Sequence, residues 1–182
     1  MKAGDTVHSA LMLDLMEDDN MIDHSFVFLI KEYDVLIDKS FEEYINQYPV
    51  QKDEINNNSY YSNEDKILIN KTNQHLFDVF NAHSLVLKKV WIQKYQYSQY
   101  HDLHIHGEDT YSFVWYINCS EKSSKTIFYN PGWPYFQSHN FIEVTPKKGK
   151  LFLFNGLIPH CVLRNEDNLR TIVSGNLKVI NK

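Results

Sequence analysis

From Leu85 to the C-terminus the chain is a succession of short runs of apolar, β-branched and aromatic residues cut by turn chemistry, a pattern that demands a sheet fold. Leu87–Tyr95, Thr110–Ile117, Thr126–Tyr129, Phe141–Val144, Leu151–Phe154, Cys161–Arg164 and Arg170–Val179 read as strands. Asn130-Pro131-Gly132, Pro146 to Gly149 and Asn165 to Asn168 supply the turns between them. The run Thr110–Ile117 (TYSFVWYI) is apolar on both faces, so it belongs in the middle of a sheet or under cover on both sides. An aromatic content of 14 % against six Gly and five Pro suits strands packed face to face.

The first 84 residues read differently. Ser40 is placed to N-cap a helix over Phe41 to Tyr48, with Glu43 completing a capping box and Pro49 ending it. A second helical stretch runs from about Asn63 to Ala82, with a break in its apolar spacing near Lys71 to Asn73 that would allow two helices. The expected architecture is therefore mainly β with N-terminal helices: one domain over 1–182, with helical support in 1–84 and the sheets in 85–182.

Charge excludes several functions. At −5 the chain has no basic excess to grip phosphates, and its lysine groups (Lys88, Lys89, Lys94 and Lys147, Lys148, Lys150) read as solvated strand edges, so nucleic acid is not the expected partner. The longest apolar run, Phe26 to Ile30, is far below the roughly 20 residues of a membrane span. No signal peptide is readable, so a cytoplasmic protein with Cys119 and Cys161 as reduced, buried thiols is expected.

Three of the nine histidines fall within six residues: His101, His104 and His106. In an extended segment His104 and His106 share one face and form a pair suited to iron, nickel, copper or zinc. His160, after an apolar run and the Asn155-Gly156 turn, is a third candidate ligand. Arg170 follows ten residues later, where a guanidinium can clamp the carboxylate of a co-substrate. Each residue alone is as well explained by packing; their order together favours a metal site. His101 is placed to line its mouth, and the ring-rich segment Trp133 to Phe136 beside His139 reads either as a lid over substrate or as ordinary core packing. His8, His24, His75 and His83 read as structural.

The pieces Trp91-Ile92-Gln93-Lys94-Tyr95, His104-Ile105-His106, Tyr111 to Ile117, Phe128 to Pro131, Gly149 to Phe154, His160-Cys161-Val162 and Arg170 to Asn176 occur in an order that resembles the prolyl-4-hydroxylase-like iron(II)/2-oxoglutarate oxygenases. The likeness is to the short forms found in phage and marine bacteria. An Asn-rich, Tyr-rich, Lys-over-Arg composition agrees with an AT-rich genome of that kind.

The resemblance implies a double-stranded β-helix, or jelly roll, with Fe(II) and 2-oxoglutarate as cofactors. His104 and His160 would be metal ligands, Arg170 would hold the distal carboxylate of 2-oxoglutarate, and Tyr95, Ser174 and Asn176 would line its pocket. The reaction implied is hydroxylation of a small molecule or amino-acid side chain by O2, with release of succinate and CO2. The family pattern has Asp or Glu two residues after the first histidine, and this chain has His106. The third ligand is then His106, or a carboxylate among Asp102, Glu108 and Asp109, with His106-x-Glu108 as the shifted register. A neutral third histidine would leave the iron more positive and raise its potential. Two further readings stay open: a three-histidine, cupin-like dioxygenase that does not use 2-oxoglutarate, and a jelly-roll binding module without catalysis.

Overall fold

The computed structural model describes residues 30–53, 59–62, 65–107, 111–132 and 141–180. In chain order the elements are β1 (Lys31–Asp34), α1 (Lys39–Gln47), β2 (Gln51–Asp53), β3 (Ser59–Tyr61), α2 (Lys66–Ala82), β4 (Leu85–Tyr95), β5 (His101–His104), β6 (Tyr111–Asn118), β7 (Thr126–Tyr129), β8 (Phe141–Val144), β9 (Lys150–Asn155), β10 (His160–Val162) and β11 (Arg170–Val179). His8, His24, His139, Trp133 to Phe136, Glu108 and Asp109 lie outside the described residues.

Two antiparallel sheets form the jelly roll. The larger has the order β1-β9-β6-β11-β4-β3-β2, and the smaller β5-β10-β7-β8. The run that is apolar on both faces, β6, sits inside the large sheet between β9 and β11. Alternation along β11 divides its side chains between two cores. Ile172 joins Tyr95, Val114, Tyr116, Phe128 and Phe152 between the sheets, whereas Val173 and Leu177 pack with Phe41, Ile45, Leu76, Phe80 and Trp115 under the helices.

The helices differ from expectation at their ends. Asp38, not Ser40, caps α1: its carboxylate accepts from the Phe41 N–H at 2.8 Å and from the Ser40 hydroxyl at 2.6 Å. A carboxylate outcompetes a hydroxyl here because it accepts both bonds at once. Glu43 closes no capping box and instead pairs with Lys39. The second stretch is one helix, capped by Asp65, because Thr72 at the apparent break is itself buried against the core. Lys94 is not a solvated edge: its ammonium donates to the Asn46 and Tyr48 carbonyls at the C-terminal end of α1. Lys148 and Lys150 are likewise engaged, with Glu42 and with Glu32 and Asp34. Of the two free thiols, Cys161 is buried and Cys119 only half-buried. Among the described residues no helix is long and apolar enough to cross a membrane.

Candidate active site

The site begins with a strand irregularity. Between the pairs His160↔His104 and Val162↔His101, β5 advances three residues while β10 advances two. The extra residue is a bulge, and it turns His101 and His104, three apart in sequence, onto the same inner face. His106 lies beyond the end of β5. Its N–H donates to the Gly156 carbonyl at 2.8 Å, which holds it beside the turn that leads into His160.

The ligand-capable nitrogens of His104, His106 and His160 all lie within 4.8 Å of one another. His104 Nδ1 lies 2.8 Å from the Asp102 carbonyl and His160 Nδ1 2.9 Å from that of Ile158. A carbonyl only accepts, so both Nδ1 atoms carry the proton and both Nε2 atoms present lone pairs to the cavity. Burial holds the imidazoles in the neutral, ligating form. His160 is pushed down to about 3 and His106 to about 4, the neighbouring rings adding to the effect, and His104 is lowered too. Three neutral imidazoles with converging lone pairs fit a divalent transition metal.

Lining the same pocket lies Arg170, the first residue of β11 and only 1 % exposed. Its guanidinium packs over the rings of Tyr95 (4.4 Å) and Tyr116 (5.4 Å). Nη2 donates to Thr126 Oγ1 at 2.9 Å, and that hydroxyl lies 2.7 Å from the Tyr116 hydroxyl. Among the described residues, Nε and Nη1 of Arg170 and the Tyr95 hydroxyl are buried without a hydrogen-bond partner. Burial raises Tyr95 well above the usual phenol range, with Arg170 beside it offsetting part of the effect. No Asp or Glu lines the cavity among the described residues. A buried guanidinium with two nitrogens unmatched calls for an anion, and a carboxylate accepting two N–H bonds supplies one. The residues present therefore fit both a metal and a carboxylate-bearing co-substrate.

Other expectations fare unevenly. Ser174 and His101 line the cavity, whereas Asn176 does not: it sits one step along β11, taking a hydrogen bond from Ser112 at 3.0 Å. Asp102 is exposed and contributes its carbonyl, not its carboxylate, to His104. Thr126 and Gln93, both cavity-lining and 1 % exposed, carry no motif. Only a polar residue inside an otherwise apolar strand hints at them.

Comparison with known proteins bears on the fold. Residues 89–176, just under half of the chain, match the model of a family described as putative 2OG-Fe(II) oxygenases. No protein of curated function matches by sequence. Among solved structures, the viral collagen prolyl hydroxylase of Paramecium Bursaria Chlorella virus-1, in a 2-oxoglutarate complex, is similar with a TM-score of 0.56 and 15 % identity over 82 % of this chain and 96 % of that one. HygX from Streptomyces hygroscopicus, with nickel, 2-oxoglutarate and hygromycin B bound, gives 0.61 and 10 % over 82 % of each chain. A Pseudomonas putida prolyl-4-hydroxylase gives 0.53 and 15 % over 72 % of this chain and 78 % of that one. Residues 89–176 are thus similar to the iron(II)/2-oxoglutarate-dependent oxygenases, and the chain shares its fold with solved members of that class.

Proposed function

We propose that this enzyme hydroxylates a small molecule or an amino-acid side chain, with O2 as oxidant and with succinate and CO2 as co-products. The observation that carries the reading is Arg170, a buried cation with two unmatched nitrogens, lining a cavity that holds three converging imidazoles. In this reading His104, His106 and His160 hold the iron, and no carboxylate ligand is required. When bound, iron(II) and 2-oxoglutarate supply the activation of dioxygen and the oxidation of a C–H bond.

The chain's own contribution is binding and orientation. Arg170 takes the distal carboxylate of 2-oxoglutarate through Nε and Nη1. Thr126 fixes the guanidinium from the side, and the faces of Tyr95 and Tyr116 hold its plane. The Tyr95 hydroxyl, protonated at any working pH, donates to the same carboxylate. Phe154, Phe128 and Ile172 exclude water around the imidazoles and the cavity wall, which strengthens each of these bonds. Ser174 lines the cavity on β11, and Asn176 further along that strand accepts from Ser112 of β6. The absence of a basic excess gives no support to a nucleic-acid substrate.

The test is anaerobic titration with iron(II) and 2-oxoglutarate, following the visible charge-transfer band of the chelate. The band is expected in the wild type, lost in His160→Ala and weakened in Arg170→Ala. Iron binding without the band would move the protein to the three-histidine dioxygenases that do not use 2-oxoglutarate. No iron binding would leave a jelly-roll binding module.

A further inference from the structure

The fourth histidine of the cluster has no place among the converging nitrogens, yet it is the ring packed closest to one of them. His101 stacks on His104 with centroids 3.8 Å apart and planes 13° from parallel. Its other edge meets a polar chain that comes from the opposite sheet. The Gln93 side-chain amide, 1 % exposed, donates to Ser59 Oγ at 3.0 Å and to the Tyr61 hydroxyl at 2.5 Å. The same nitrogen lies 3.2 Å from His101 Nδ1, but an amide has two hydrogens and cannot serve three acceptors. With both hydrogens used, the remaining bond belongs to Tyr61. Its hydroxyl lies 3.2 Å from His101 Nδ1 and 3.4 Å from Nε2, in place to donate to the ring, and meets the imidazole edge-on at 90°.

We propose that His101 is a positioning residue for the metal ligand His104, and that Tyr61 and Gln93 act through it. This rests on the reading of His104 as a ligand. His104 needs such support because its own strand offers little. β5 is four residues long, lies at a sheet edge with β10 as its one neighbour, and is bulged at this point. Among the described residues the ring's one polar tether is the carbonyl of Asp102, two residues back on the same strand, which moves with it. A flat neighbour anchored to β3 and β4 gives the imidazole a reference outside its own strand. β3 lies before residue 89, so a segment outside the family match supplies part of the ligand's support.

The experiment is a double-variant cycle read by anaerobic iron(II) affinity and by the charge-transfer band of the iron–2-oxoglutarate complex, with circular dichroism confirming the fold. Tyr61→Phe is expected to weaken iron(II) binding about tenfold and to shift the band, within the range for groups that orient metal ligands. His101→Ala should weaken it about as much or more, and Tyr61→Phe should add nothing in that background. If His101→Ala does not fold, His101→Phe serves as the background, since it keeps a flat ring but not the acceptor. The proposal is overturned if Tyr61→Phe leaves affinity and band unchanged, or costs the same factor with and without His101. Failure of the wild type to bind iron(II) would instead overturn the assignment of His104.

Discussion

His106 Nε2 and His160 Nε2 face each other across 3.2 Å, and their rings lie within 20° of parallel. The His160 nitrogen carries a lone pair there, because its other nitrogen donates to the Ile158 carbonyl. Two imidazole nitrogens this close are at ease only around a shared proton or a shared cation. A neutral His106 where the family pattern carries Asp or Glu leaves the bound metal with more net positive charge. His106→Asp is therefore expected to keep iron(II) while lowering the ferric/ferrous potential and speeding reaction with oxygen. Equal potentials and equal rates by anaerobic redox titration and stopped flow would remove the charge argument.

Arg170→Met should separate stability from binding. Removing a buried guanidinium with two unmatched nitrogens is expected to raise the stability of the cofactor-free protein by about 1–4 kcal/mol. The same change should weaken 2-oxoglutarate about 100-fold, the equivalent of one or two charge-assisted hydrogen bonds. Thermal unfolding without ligand and a 2-oxoglutarate titration read the two effects, which have opposite signs.

Gly175 lies on β11 between β4 and β6. A Cβ there would meet the Lys89 carbonyl at 2.3 Å and the Phe113 ring at 2.6 Å. One of these contacts is backbone, so neither strand can yield cheaply. Gly175→Ala is expected to cost about 1–3 kcal/mol and to lower Tm by roughly 3–10 °C. Because Gly175 faces the helical layer with Val173 and Leu177, the iron and 2-oxoglutarate affinities of the folded fraction should be unchanged.

Asp38 provides the pH test. Hydrogen bonds from the Ser40 hydroxyl, the Phe41 N–H and His75 hold its carboxyl far below the usual carboxylate range. A folded-state pKa below the unfolded one stabilises above about pH 4 and is lost as pH falls further. Asp38→Asn should thus be less stable than wild type near neutrality, and the difference should shrink below about pH 4. Denaturant unfolding at stepped pH measures it; a difference independent of pH would assign the effect to packing alone.

Most of the sheet was legible because β4 and β6 to β11 are apolar enough for pattern to override local ambiguity, whereas β5 (HDLH) is not. The short strands β1 (KEYD), β2 (QKD) and β3 (SYY) were not, since three or four polar or mixed residues at an edge have no period to read. His104, His160 and Arg170 stood out by order and spacing. His101 was visible only as a residue near the mouth, because its inward turn depends on a bulge that exists only in the pairing of β5 with β10. Thr126 and Gln93 escaped for a related reason: their chemistry comes from partners 44 and 34 residues away in sequence.

The alternation along β11 ties tolerance of change to chain length. Arg170, Ile172 and Ser174 face the site while Val173, Gly175 and Leu177 face the helices, and a slip of one residue exchanges the two sets. An insertion or deletion in this strand would bury the arginine in a hydrocarbon layer and turn leucine toward the metal in one step. Divergence here is confined to replacing one side chain by another, whereas the loops at the strand ends are free to lengthen.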